Sequence, residues 1–516
     1  MPRRARATEQ AVAAAATLTD ARAAAGAAPT QGGAGKTDPL LAELRRGGLL
    51  PLLVLHFLSE GPSYGNQLME KISQVTGGLV AVNPNTMYPL LRSLEGRELV
   101  AGEWEHPERR SRRFYRLTPA GEAERDRLRT EIEPYLETGD APEVSEVVPE
   151  GAAALIEIAD DRVVARSLSP AAAKAGVVVD TLSHALAQNP DLERAVREMT
   201  DGGKSLPADD KLAQVARALA PIGVLVHVPR GVVLDDPIVV RWGAGTPGRG
   251  LMSRTLVNIG ENAQVKLLEE QVASQAHATA DSGQSLWWGT SEVRLAQGAN
   301  LSYAAQQDFA TNTIAFVNRH ATLERDAQLR WALASVGAAL HKSRIDNRLV
   351  GRGSGVSQVE IGFGDGRQLF DLTSYTRHIG EDTTGDLLSK GVFLDRARGY
   401  FKGMITIDKT AKGTDSFLGE FAMLLAKSAR SVTIPSLEID QPDVRRASHS
   451  SSVGPIDENE IFYLMSRGIP RELARKFIVL GFLEPVVARI PLEQAQERLR
   501  RLLDAKWPSA QTQEAA

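Results

Sequence analysis

The sequence predicts a mixed α and β protein. An N-terminal winged helix-turn-helix is joined to a right-handed parallel β-helix with a C-terminal helical segment. Three observations carry this. From Leu40 onward three apolar-periodic helices precede a charged hairpin and a fourth helix. From Val224 to about Ile439 the helical period disappears, and short β-branched segments alternate with Gly, Asn and Asp. After Pro455 the helical period returns. The boundaries that follow are a disordered Ala/Gly-rich leader (1–38), the winged helix (39–136), a linker (137–153) and an α/β region (154–222). The β-helix core (223–455), the terminal helices (456–505) and a disordered tail (506–516) complete the chain.

Bulk properties narrow the function. At 516 residues the chain is too long for one core. A net charge of −4 excludes a globally basic nucleic-acid binder, though a local basic patch can still hold phosphate. With no cysteine, the chain has no disulfide, no thiolate metal site and no cysteine nucleophile of its own. No apolar run approaches the roughly 18–20 residues needed to cross a bilayer, so no membrane partner is expected. The opening "MPRRARATEQAVAAAATLTDARAAAGAAP" has the Arg and Ala of a targeting peptide. Thr17 and Asp20 interrupt it, which favours a disordered leader.

In "LLPLLVLHFLSEGPSYGNQLMEKI" an apolar helix ends at a Gly61-Pro62 turn, and Ser63 caps a second helix. A third helix places Met87, Leu90, Leu91 and Leu94 on one face. Pro89 confines its start, since proline fits only near a first turn, and Asn85 is the expected N-cap. Two short strands then flank a loop from His106 to Arg112, and a helix opens at Thr118-Pro119. Arg109, Arg110, Arg112, Arg113 and Arg116 arm that hairpin with guanidinium groups suited to phosphate. The plain alternative is a solvated charge run balanced by Glu103, Glu105 and Glu108. The third helix favours DNA, because Asn85, Thr86, Tyr88 and Arg92 lie at the end that enters the major groove in this motif class.

The signatures "TMYPLLRSLE" and "RRFYRLTPAG", within residues 47–135, resemble the PadR-type transcriptional regulators. The resemblance implies that Tyr64-Gly65 opens the second helix, that the third helix reads DNA, and that a long terminal helix forms a dimer. Here the helix after Thr118 meets the linker by about Thr138, which departs from that last feature.

In the body, Asn262-Ala263, Gly298-Ala299 and Asp326-Ala327 recur loosely as turns, as repeated coils require. Short strands without regular hairpin signals suggest a sandwich or a parallel β-helix, and small residues at the turns, which let successive coils stack, favour the β-helix. Carboxylates at Asp365, Asp371, Glu381, Asp382 and Asp386 read as turn residues rather than a hydrolase site. "GRGSGVSQ" lacks the Lys-Ser pair of a phosphate-binding loop, so any ATP requirement falls to a partner. Beyond the core, Asp457 with Glu460 resembles a capping box, Gly468 ends that helix, and Pro470 and Pro491 start the next two.

"SRIDNRLVGRGSGVSQVEIGF", "HIGEDTTGDLLSKGVFLDRARGYFKGMITIDKTAKGTDSF" and "SHSSSVGPIDENEIFYLMSRGIP" strongly resemble the SufB/SufD family of iron–sulfur cluster assembly proteins. The likeness runs over about residues 155–495. It implies a β-helix whose edge pairs with a SufB-type subunit and whose terminal helices dock the SufC-type ATPase. Ile439 stands where the SufB branch has an assembly cysteine, and Ala447 where SufD proteins often have one. By the same carry-over His449, in a polar serine-rich run before a helix start, is the SufD histidine facing the SufB cysteine. A neutral imidazole can complete an iron site built on a partner's thiolate, so His449 is the one metal-ligand candidate, shared with that partner. His378 is a weaker candidate, as a turn or rim residue. Phe462, Leu464, Phe477 and Leu480 are the expected SufC contacts, with packing on the last coil as the alternative.

The expected function is therefore cytoplasmic iron–sulfur cluster assembly, as a non-catalytic SufD-type partner of SufB and SufC. This chain alone would bind no cofactor, and a transient cluster would form at the SufB-type interface. The head would bind promoter DNA and autoregulate. The alternative is a PadR-type regulator that uses the β-helix as a sensor or oligomerisation body.

Overall fold

The computed structural model describes residues 49–59, 61–75, 84–106, 112–126, 148–200, 210, 213–216, 220, 222–273 and 283–507. The leader, most of the linker, Arg109, Arg110 and all but the first two residues of the tail lie outside these. The chain falls into two units, Met1–Thr138 and Gly139–Ala516.

The first unit holds α1 (Leu49–Ser59), β1 (Ser63–Tyr64), α2 (Gly65–Val75), α3 (Pro84–Gly96), β2 (Val100–Trp104) and β3 (Arg113–Leu117), then a helix over 119–126. Val54, Leu55, Leu68, Ile72, Met87, Leu91 and Leu94 form its core, so one stripe of each helix faces the sheet. Two local expectations change. Ser63 is not a cap but part of β1, which pairs with β3 to make a three-stranded sheet. α3 begins at Pro84, which puts Asn85 inside the first turn rather than at the N-cap. Pro89 is mid-helix, tolerated because its ring is exposed and one backbone bond is forgone. Thr118 caps the last helix by accepting from the Gly121 amide at 3.0 Å. Gly121 is obligatory, since a Cβ there would lie 1.9 Å from the Leu99 carbonyl oxygen.

The second unit opens with β4 (Ala154–Ala159), β5 (Arg162–Leu168), α4 (Pro170–Lys174), β6 (Val178–Thr181), α5 (Leu182–Gln188) and α6 (Pro190–Thr200). Coils of two strands follow. The first four are β7 and β8 (Ile222–Val228, Ile238–Ala244), β9 and β10 (Gly250–Ile259, Gln264–Ala273), β11 and β12 (Ser285–Leu295, Asn300–Asp308), and β13 and β14 (Thr313–Leu323, Gln328–Ser335). The last four are β15 and β16 (Leu340–Leu349, Gly355–Gly364), β17 and β18 (Leu369–His378, Thr384–Phe393), β19 and β20 (Arg398–Ile407, Asp415–Leu424), and β21 and β22 (Arg430–Ile439, Arg446–Gly454).

Odd strands pair in parallel with odd strands and even with even, giving a β-solenoid of two facing sheets. Each strand of one sheet serves as the crossover that parallel pairing in the other requires. At the start of the solenoid, β4 extends the even sheet beside β8, and β6 pairs with β7. At the finish, among the described residues β21 and β22 have a strand neighbour on one side only.

The loose turn recurrence has a physical basis. Asn262, Gly298, Asp326, Gly353, Asp382 and Gly413 all adopt the left-handed backbone region, with φ between +53° and +73°. Each amide donates to a carbonyl of the next coil, as from Gly298 to Arg325 at 2.9 Å and from Asp382 to Lys412 at 2.7 Å. A Cβ at Gly298 would lie 2.2 Å from Asn262 Oδ1, so carboxamide or carboxylate must alternate with glycine.

α7 (Glu458–Ser466), α8 (Arg471–Val487) and α9 (Glu493–Ala505) cover the outer face of the even sheet. There Ile461, Val479, Leu483 and Leu499 join one cluster with Leu268, Ala304, Ile361 and Val392. Asp457 caps α7, accepting from the Asn459 amide at 2.9 Å, and Gly468 follows it at φ +83°. Pro470 is itself the cap of α8 rather than its first residue, because its ψ of 146° is extended. α9 starts at Glu493 with Leu492 as its cap, leaving Pro491 just outside. No helix among the described residues is long and apolar enough to cross a membrane.

Candidate functional site

The serine-rich run around His449 forms the edge strand β22. Its register puts Ala447 beside Ser416, His449 beside Leu418, and Ser451 beside Glu420. Side chains alternate across a strand, so all three share the face that lines the bore. Ala447 packs on the core there, and His449 stands exposed over the fully buried Leu418. On the facing sheet Ile439 ends β21 beside buried Ile407 and is 45% exposed. The last coil therefore presents an imidazole on one wall and an aliphatic side chain on the other. Pro435, in the middle of β21, is a residue that only an edge strand tolerates.

His378 is not at a rim. It is fully buried at the end of β17, with Nδ1 2.8 Å from Thr383 Oγ1 and Nε2 3.1 Å from Ser416 Oγ. Burial pushes its pKa down to about 4, and both ring nitrogens are occupied, so it is a satisfied core histidine. Asp382 is a turn residue, held by Arg352 and Arg445. Asp371 and Asp386 are strand residues instead, and Asp371 is paired with Lys342 and Lys402.

On the terminal helices the four expected contacts divide. Phe462 is 70% and Phe477 48% exposed, and Tyr463, Met465 and Leu473 are exposed with them. Leu464 and Leu480 turn inward and pack on the sheet-covering cluster. A groove of about 470 Å³ opens beside this patch, with Leu425, Ile456 and Ile461 as floor and Arg430, Arg471 and Arg475 at its edge.

In the first unit Tyr88 and Arg92 are exposed on α3, and Thr86 is half-buried. Tyr88 Oη donates to Asn66 at 3.4 Å, and its ring approaches Gly65 so closely that a Cβ there would lie 2.8 Å away. Arg112 is exposed with its guanidinium 5.1 Å from the Tyr64 ring. Arg113 is not a free wing cation. It donates to Glu95 at 2.6 Å and lies 5.6 Å from the rings of Trp104 and Tyr115, bracing the hairpin against α3.

Residues 242–482 match the model of the SUF system FeS cluster assembly SufBD core domain, and residues 54–127 that of the PadR-like transcriptional regulator family. The chain therefore carries a SufBD core domain and, ahead of it, a PadR-like domain. It is 28% identical over 341 residues to the iron–sulfur cluster assembly protein SufD of Bacillus subtilis, covering 66% of this chain and 76% of that one. A SufBD family protein of Staphylococcus epidermidis is 26% identical over 389 residues, covering 75% and 81%. A solved transcriptional regulator from Clostridium thermocellum shares 26% identity, covering 18% of this chain and 87% of that one. Its TM-score of 0.17 is too low to bear on the fold.

The SufBD core also holds polar groups that sequence reasoning missed. Glu269, Gln271, Arg319, Gln358, Glu360 and Glu420 are all buried. Glu269 accepts from the Tyr303 hydroxyl, and Arg319 donates to it at 3.2 Å. The signal was parity: in "GVSQVEIGFG" and "DSFLGEFAML" a glutamate occupies a bore-facing position. Reading it required the register. Since Leu464 and Leu480 serve the core, L464A or L480A is expected to cost about 2 kcal/mol of stability in denaturant titration. Partner affinity should be unchanged in these two variants.

Proposed function

We propose that the protein is a non-catalytic, SufD-type assembly subunit. Its open last coil pairs with a SufB-type subunit, and its terminal helices dock a SufC-type ATPase. The observation that carries this reading is the unpaired edge of β21 and β22, with His449 on its bore face. Two adjacent strand edges offer a ready surface for β-augmentation by a like solenoid. The iron–sulfur cluster is cargo, formed at that junction on the partner's thiolates with one imidazole from this chain. This chain supplies no thiolate, so the sulfur chemistry belongs to the partner. Such a protein works in the cytoplasm.

The test is co-expression with SufB-type and SufC-type proteins. H449A is expected to lower cluster content severalfold, read by visible absorption and iron analysis, while the complex still co-purifies. A tagged chain that brings down neither partner would sink the assembly role and leave the solenoid as the body of a regulator.

For the head we propose binding to the chain's own promoter, so that incorporation into the complex can mask the wing and autoregulate synthesis. Exposed Tyr88, Arg92 and Arg112 support it. If six or more phosphates are engaged, affinity should fall by on the order of 1000-fold between 50 and 200 mM salt, measured by fluorescence anisotropy. Salt-independent binding would argue against a phosphate-tracking wing.

A further inference from the structure

The bore of the SufBD core is apolar toward both corners and polar between them. Leu387, Leu418 and Ile405 flank one side of the polar belt, and Phe370, Phe393 and Phe401 the other. On the even sheet Glu360 is in register with Ser389, Ser389 with Glu420, and Glu420 with Ser451. Adjacent strands lie about 4.8 Å apart, so these bore-facing side chains make a continuous row. It runs carboxyl, hydroxyl, carboxyl, hydroxyl, from the interior to the edge strand. The first three are buried and Ser451 is exposed.

The row is not a structural ion-pair system. Among the described residues neither carboxyl forms an ion pair, and Oε2 of Glu420 has no hydrogen-bond partner. Arg319 and Ser343 face Glu360 from the odd sheet; the Ser343 hydroxyl approaches its carboxyl, while Arg319 is bonded to Glu269. Glu420 meets the Ile434 backbone of β21, and Glu360 is the charge acting on it. A Cβ at Gly403 would lie 2.8 Å from Glu420 Oε1, so that glycine leaves the room the carboxyl fills. Burial holds both carboxyls up to about 7, where a small change of pH changes their charge. His449 stands over Leu418, outside this row.

We propose that Glu360 and Glu420 form a two-proton reservoir that exchanges with the open edge of the solenoid through Ser389 and Ser451. This rests on the reading of that edge as the assembly face, where partner thiols lose protons on binding iron. There the S–H bond breaks, the thiolate keeps the electron pair for the metal, and the proton forms an O–H bond on an ionised Glu420. Rotation of the Ser389 hydroxyl lets it accept from one carboxyl while donating to the other, so that Glu360 shares the load.

Infrared titration of the full chain tests the reservoir, with E360Q and E420Q assigning the protonated-carboxyl bands. Both bands are expected to titrate near neutrality. After a pH jump, S389A should slow the Glu360 response on the order of 100-fold, and S389T, which keeps the hydroxyl, should restore it. Titration of both groups in the ordinary carboxylate range, or an unslowed S389A, overturns the proposal. In weakly buffered solution, cluster loading of the complex should release more protons with E420Q than with the wild type, and equal release overturns the coupling. A complex that never forms removes the assembly reading alone, and the infrared titration then decides the reservoir by itself.

Discussion

Replacing Phe462 and Phe477 together by alanine is expected to weaken binding of the SufC-type ATPase about 100-fold or more, measured by calorimetry. Buried aromatic anchors typically lose 2 kcal/mol or more each on truncation, and every 1.4 kcal/mol is about tenfold in affinity. Phe462 is mostly solvated and Phe477 half-buried in the isolated chain, so their removal should cost only about 1 kcal/mol of stability. Tyr463, Met465 and Leu473 add further exposed apolar surface on α7 and α8, a concentration that is unusual unless another surface covers it. Unchanged affinity in the double variant would move the docking site off these helices. The contrast with Leu464 and Leu480 sharpens the experiment, because those residues should change folding and not binding.

The second large effect is on acid stability. Glu360 and Glu420 ionise near pH 7 when folded but near 4.5 when free, because burial penalises the charged form. Their contribution is complete below about pH 4.5 and lost as pH rises through 7. His341 and His378 are shifted the other way by burial, to about 3 and about 4 from 6.5, with Arg319 adding to the shift at His341. Their contribution is complete above pH 6.5 and lost as pH falls toward those values. Each group alters stability by about 1.4 kcal/mol per pH unit within its window, so the two acids oppose His341 and His378, joined by His227, whose pKa burial also lowers. The wild type is therefore expected to be nearly flat between about pH 7 and 5. E360Q/E420Q, whose amides do not titrate, should lose roughly 4 kcal/mol over that interval. Denaturant titration followed by the buried Trp242, Trp287, Trp288 and Trp331 reads this out, and a parallel pH response in both proteins would refute it.

Much of this architecture was legible because its signals are local. Amphipathic spacing in α3 and the loss of helical period after Val224 need no knowledge of neighbours. The same holds for the Asn, Asp and Gly turn residues, whose backbone angles L-residues with larger side chains avoid. What was missed depends on pairing. Ser63 looks like a cap until β3 is beside it, and Arg113 looks like a wing cation until Glu95 is found under it. His378 ends a strand whose face is set only by the register with Leu349 and Ile407, so a turn-like context concealed a core residue. The face of His449 was equally invisible before β20 was placed next to it, because a one-residue slip would turn that ring away from the bore.

The unpaired last coil also has a cost for the cell. A surplus copy carries two rows of unmatched backbone amides and carbonyls, the kind of template on which identical chains string together. The hydroxyl-rich sequence of β22 and the missing N–H of Pro435 blunt that tendency without removing it. Under the proposed pairing with a SufB-type subunit, supply in proportion to that partner becomes a physical requirement, and it grows with the concentration of unclaimed polypeptide.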